Sequence, residues 1–219
     1  MILKVVGKEL ELSEDRVIYW SDKEVLFIAD LHIGKTSHFR KSGIAIPTGI
    51  IDAEIARLEA LIKKYHPKRV FFLGDLFHSD LNHEWTLFDH FLNRNSTVEF
   101  ILIKGNHDIL PKTIYDQSIL KIEEEPFQLD SFILSHHPLI KSQLKQGYIN
   151  LCGHIHPGLS IKTKGRSYLK LPCFYHKKNQ LILPAFGKLT GLAKISPSKE
   201  ETVFVTLNNS VKEIKLNKH

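Results

Sequence analysis

VFFLGDLFHS, residues 70–79, reads as a strand that stops on a carboxylate. Val70, Phe71, Phe72 and Leu73 form a short apolar run closed by Gly74, the pattern of a fully buried strand that ends at a tight turn. Asp75 therefore stands at the edge of a core. A buried carboxylate without a partner is costly, so this position demands a counter-charge, a cage of hydrogen bonds or a metal ion.

Upstream, Val25-Leu26-Phe27-Ile28-Ala29 repeats the pattern and runs into Asp30-Leu31-His32. Strand alternation would point Asp30 and His32 the same way. Gly34 to Pro47 reads as a basic loop carrying Lys35, His38, Arg40 and Lys41. From Pro47, Ile51, Ile55, Leu58 and Ile62 recur at helical spacing, with Thr48 as N-cap and Pro67 as the stop. Strand, helix and strand make a βαβ unit, which places chemistry at the carboxyl ends of its strands. Residues 2–6, 9–12 and 17–20 read as short antiparallel strands leading into the same sheet.

Downstream, a helix is expected over 84–92 and a buried strand over 98–103, ending in Lys104-Gly105-Asn106-His107-Asp108. Alternation with helices then stops. Phe132-Ile133-Leu134-Ser135 delivers His136-His137-Pro138, and Ile149-Asn150-Leu151-Cys152 delivers Gly153-His154-Ile155-His156-Pro157. Further strands are expected over 168–175, 180–184 and 202–206. The fold class that follows is α/β (α+β), two packed mixed sheets flanked by helices, in a single domain over residues 1–219.

Composition sets the broad class. Of 219 residues, 42% are hydrophobic and 25% charged, which describes a folded globular chain rather than a tail. A net charge of +6 suits a polyanionic partner without requiring one. Cys152 and Cys173 form no CxxC pair, so a disulfide framework or thiolate zinc site is not indicated. The expectation is a pair of buried thiols in a cytoplasmic protein without a membrane segment.

Five buried strands thus end in Asp30/His32, Asp75, Asn106/His107, His136/His137 and His154/His156. One such residue would be an ordinary turn former; five sets of oxygen and imidazole donors point to a metal centre. In that order the motifs DxH, GD, GNHD, a late His and GHxH resemble the calcineurin-like metallophosphoesterase superfamily. Within it, ADLHIGK, HFRKSGIAIP, GDLFHS, GNHD, GHIHPG and PAFGKLTG resemble the ligase-associated DNA damage response endonuclease family, PdeM.

The resemblance implies a four-layer αββα sandwich and two divalent ions. One would lie between Asp30, His32, Asp75 and His156, the other between Asp75, Asn106, His136 and His154, with Asp75 bridging. The resemblance and strand alternation both favour His136 over His137 as the ligand, leaving His137 for the other side or the substrate cleft. Mixed carboxylate, amide and imidazole donors suit manganese, with iron or zinc as substitutes. The implied reaction is in-line attack on phosphorus by a metal-bridging hydroxide. His107 resembles the histidine that serves the leaving oxygen, and His78 a histidine beside the reaction centre of SbcD-type repair nucleases. Asp108 would orient His107 or simply close a turn. Lys35, His38, Arg40 and Lys41 are candidates for contacts to a DNA backbone. A DNA ligase and a helicase are the implied partners; oligomeric state is open.

Two rival functions share these motifs. A UDP-diacylglucosamine pyrophosphohydrolase-like enzyme would carry DLH and GDLF, but those families have Arg where His107 stands. A non-catalytic scaffold of the same fold would usually have lost ligands, and none is missing here.

Overall fold

The structure is a computed structural model. It describes residues 1–45, 47, 49–78, 83–163, 165 and 167–214, without the side chains of His38 and Lys41. The helix that begins at Ile50 has Gly49, not the expected Thr48, in its N-cap position, and the proposed contacts of His38 and Lys41 lie outside the described residues.

The first sheet follows chain order: β1 (Ile2–Val5), β2 (Lys8–Leu12), β3 (Ile18–Trp20), β4 (Val25–Ile28), β5 (Arg69–Leu73), β6 (Glu99–Ile103) and β7 (Lys121–Glu123). Pairing is antiparallel from β1 to β4 and parallel from β4 to β7. Helices α1 (Lys35–Lys41), α2 (Ile50–Tyr65), α3 (His83–Arg94) and α4 (Lys112–Asp116) lie in the connections.

The second sheet holds β8 (Phe127–Leu129), β9 (Phe132–Leu134), β10 (Ile149–Cys152), β11 (Pro157–Lys162), β12 (Tyr168–Lys177), β13 (Gln180–Ile182), β14 (Ala193–Lys194), β15 (Thr202–Leu207) and β16 (Ser210–Ile214). Its order is β14-β11-β12-β13-β10-β9-β8, with β15 paired to β12 and β16 to β15. The strands β9, β10 and β13 run parallel, so β9 and β10 present their carboxyl ends together.

Alternation along the central strands divides the core. Leu26, Ile28, Val70, Phe72, Phe100 and Leu102 pack against Leu58, Leu61, Phe88 and Phe91 of the helices. Their neighbours Phe27, Phe71, Leu73, Ile101 and Ile103 meet Phe132, Leu134, Ile149, Leu151, Phe174 and Phe204 of the second sheet. Both faces of β4, β5 and β6 are therefore buried, which is why these strands read as continuous apolar runs. A smaller cluster, including Cys152, Cys173, Tyr175 and Val205, covers the opposite face of the second sheet. This is the expected α/β sandwich of two mixed sheets, and the helices of the first half supply its helical layer.

One expectation fails in the connection after β4. Residues 35–41 were expected in a loop and instead form α1. The cause is tertiary: the Glu84 carboxylate at the start of α3 accepts the N–H groups of Gly34 at 2.8 Å and Ser37 at 3.0 Å. It also receives the hydroxyls of Thr36 and Ser37. A distant side chain thus satisfies the open donors of the first turn, a role that local sequence does not reveal. Short elements with few apolar residues, α4, β7, β8, β11, β14 and β16, were likewise not anticipated.

Candidate metal centre

The first donors sit just past β4. Strand alternation does not align them, because β4 ends at Ile28 and both Asp30 and His32 adopt left-handed backbone angles, φ 55° and 53°. Asp75 after β5, and His154 and His156 after β10, do the same at 47°, 66° and 49°. Among the described residues eleven non-glycine positions have positive φ, and five of them are these donors. Such angles are costly outside glycine and persist where the surrounding fold holds them, which here is the buried ends of the central strands.

The backbone crossings are equally close. Asp30 N–H donates to Gly74 O, His32 N–H to Asp75 O and Ile33 N–H to Leu76 O, lacing the two turns together. A Cβ on Gly74 would stand 2.4 Å from the His136 ring, and one on Gly105 2.5 Å from the Asp75 nitrogen. One on Gly153 would reach Asp30 Oδ2 at 2.5 Å. These glycines are required by the approach of the donor-bearing turns to one another.

Two groups of donors result. Asp30, His32 and His156 bring one atom each within 4.8 Å of the others; His156 Nε2 is 3.3 Å from Asp30 Oδ1 and from His32 Nε2. Beside them, His136 Nε2 lies 3.1 Å from Asn106 Oδ1, 3.3 Å from Asp75 Oδ1 and 3.0 Å from His154 Nδ1. Asp75 stands between the groups, its other oxygen 3.8 Å from His32 Nε2. The structure therefore gathers Asp30, His32, Asp75, Asn106, His136, His154 and His156 into one centre.

The donor set fits metal ions. Pairs of imidazole nitrogens face one another at 3.0 and 3.3 Å next to carboxylate oxygens, a packing of lone-pair donors that cations relieve. The His136 Nδ1–H donates to the Leu73 carbonyl at 3.2 Å, which turns Nε2 toward the other donors. Burial disfavours a charge on this ring, but its hydrogen bond to Asp75 and the attraction of that carboxylate outweigh burial and raise its pKa, so an ion bound at Nε2 would displace a proton. Burial lowers the pKa of His32 and of His154, keeping them neutral as ligands must be. Burial opposes ionisation at Asp75, but hydrogen bonding and attraction from His136 outweigh it and hold the carboxyl below its ordinary range.

Around this centre the other candidates divide. The ring of His107 lies 5.7 Å from that of His32, and the ring of His78 lies 5.6 Å from His32 and 5.0 Å from His107. Asp108 is fully buried, and its carboxylate accepts N–H bonds from Phe77 at 3.0 Å and Gly105 at 2.8 Å. Those bonds brace the turns after β5 and β6. Burial pushes the Asp108 carboxyl up to about 6. Lys35 is half-buried at the start of α1, within electrostatic reach of Asp75 and Asp30. Arg40 is exposed and donates to the Pro47 carbonyl at 2.6 Å.

His137 does not turn away from its neighbour. Its ring centre lies 4.7 Å from that of His136 and 4.4 Å from that of His154. Sequence reasoning missed Glu125, which bonds the His137 ring and the backbone N–H groups of His136 and His137. It also missed Glu84. Neither carboxylate is next to a motif, so no sequence signal marked them.

A sandwich of two mixed sheets with seven nitrogen and oxygen donors at the carboxyl ends of its strands defines a metallophosphoesterase. Residues 23–200 match the family model described as calcineurin-like phosphoesterase, and the chain belongs to that family. It is by family a hydrolase of phosphoester bonds, in a family that uses divalent metals. Among solved structures, the Pseudomonas putida nuclease MPE is similar at 26% identity and a TM-score of 0.79, over 98% of this chain and 99% of that one. Yfce, a phosphoesterase from E. coli, is similar at 16% identity and a TM-score of 0.45, over 88% of this chain and 99% of that one. A search of curated proteins finds no match. Among the described residues no helix is long and apolar enough to cross a membrane.

Proposed function

We propose that this protein is a phosphodiesterase dependent on two divalent ions, with DNA as its substrate and endonucleolytic cleavage in DNA repair as its task. The observation that carries the reading is Asp75 set between two groups of donors, 3.3 Å from His136 and 3.8 Å from His32. Asp30, His32, Asp75 and His156 would hold one ion, and Asp75, Asn106, His136 and His154 the other, with manganese as the preferred metal. Bound there, the ions would supply Lewis acidity to phosphoryl oxygens and lower the pKa of a water nucleophile.

The chain contributes the rest. His107 and His78 stand beside His32 where a leaving oxygen can take a proton or a hydrogen bond. Lys35 offers a cation near the Asp30–Asp75 pair for a non-reacting phosphate. Support for a nucleic-acid substrate comes from the similarity to the P. putida nuclease and from the net charge of +6. Association with a DNA ligase and a helicase is what the PdeM resemblance implies, and a cytoplasmic location is proposed from the two free, buried cysteines, Cys152 and Cys173.

The test is a substrate panel with manganese, covering aryl mono- and diesters, cyclic nucleotides, a UDP-linked lipid, and single- and double-stranded DNA. Cleavage of aryl diester and DNA, lost in Asp75→Ala, is the expected result. Cleavage of the lipid but not DNA would replace the substrate assignment, and no cleavage of any substrate would refute the enzyme.

A further inference from the structure

Beside the second donor group, His137 Nδ1 lies 2.8 Å from Glu125 Oε1, while Glu125 Oε2 accepts the backbone N–H of His137 at 3.0 Å and that of His136. Two oxygens of one carboxylate thus fix both the main chain and the ring of His137. With Nδ1 turned to Glu125, a neutral imidazole carries its proton there and has Nε2 as the ring nitrogen left to offer a metal. A carboxylate bound to the far nitrogen is the usual companion of a ligating histidine, because it sets the tautomer and raises ligand basicity.

The ring is also in the right place. One ring nitrogen each of His136, His137 and His154 lies within 4.8 Å of the others. Their ring centres are 4.7, 4.8 and 4.4 Å apart, and the planes of the pairs are inclined at 80°, 79° and 50°. Imidazoles gathered at one ion through nitrogen–metal bonds of about 2.1 Å have ring centres roughly 4–5 Å apart. A histidine that only lined a cleft would need neither this spacing nor a dedicated carboxylate.

We propose that His137, held by Glu125, is a further ligand of the second metal position, which then has Asp75, Asn106, His136, His154 and His137 as donors. The inference rests on the metal-centre reading above. The two positions become unlike, four protein donors at the first and five at the second, three of the five imidazoles. Nitrogen-rich sites favour the later first-row ions, so the second position favours manganese less than the first does and takes cobalt or zinc more readily.

The experiment is titration of metal-free protein with manganese and with cobalt, followed by calorimetry and by the visible absorption of bound cobalt. Wild type binds two ions. His137→Ala keeps the first ion, weakens the second about 10- to 100-fold and changes the cobalt spectrum; Glu125→Ala weakens it through the lost orientation. Glu125→Gln, whose amide oxygen still accepts from Nδ1, restores most of the loss. The melting temperature of each metal-free variant separates these effects from misfolding. Two wild-type binding steps and an unchanged spectrum in a folded His137→Ala, with only KM for the diester raised, overturn the proposal and make His137 a substrate contact. No metal bound by the wild type would instead overturn the metal-centre reading itself.

Discussion

The backbone N–H of His107 donates to Asp75 Oδ1 at 3.0 Å, so the turn after β6 is fastened to the carboxylate that ends β5. The same oxygen lies 3.3 Å from His136 Nε2, which comes from the other sheet. One carboxylate therefore links the turns after β5 and β6 with the turn after β9.

Asp75→Asn keeps an oxygen for the His107 N–H but removes the negative charge between the two donor groups. Two dications a few ångströms apart repel each other strongly without a shared anion. The variant is expected to fold, to bind at most one ion, and to lose activity by about 100-fold or more. Metal content measured beside diesterase rate checks this; retention of both ions and full rate would remove Asp75 from its proposed place.

Gly153→Ala places a methyl 2.5 Å from Asp30 Oδ2 and 2.8 Å from Ala29 Cβ. Neither neighbour can yield, because both sit in the fully buried turn after β4. Overpacking of this kind costs about 1–3 kcal/mol, and displacement of Asp30 should weaken binding at the first position. Gly191→Ala, with nothing within 4 Å, is the matched control. Urea unfolding of the metal-free proteins and metal titration measure the two effects separately.

Glu84→Ala withdraws one acceptor group from two N–H donors and two hydroxyls at the start of α1. Buried donors left unsatisfied cost about 1–3 kcal/mol, and the first turn of α1 should fray. Hydrogen exchange is expected to rise at Ser37 and Gly34 while β5 and β6 stay protected. Because His32 and Lys35 flank this turn, the DNA-cleavage rate should fall as well. Unchanged exchange at Ser37 would show that α1 holds its start by other means.

Much of the sandwich was legible because its central strands are buried on both faces. Apolar runs such as 25–28, 70–73 and 100–103 cannot be solvated strands, and the polar residues that follow them had to share one end of the sheet. What did not show in the sequence depends on contacts between distant segments. Helix α1 has few apolar residues and exists because Glu84 reaches across from α3. Glu125 reaches His137 from outside any motif. The pairing of Asp30 with His32 was read from strand alternation, whereas left-handed turns produce it. His137 shares a cluster with His136 because both are tethered to one carboxylate.

Five of the seven gathered donors occupy left-handed backbone, and all five are Asp or His. Among non-glycine residues, Asn, Asp and His enter that region most readily. Coordination chemistry and main-chain shape thus select the same short list of residues at each position. A swap that preserves the donor but lengthens or branches the side chain, such as Asp30→Glu, keeps the chemistry and fails on the shape. The repertoire at these turns is therefore narrower than metal binding alone would make it, and drift toward a different ligand set would have to rebuild the turns first.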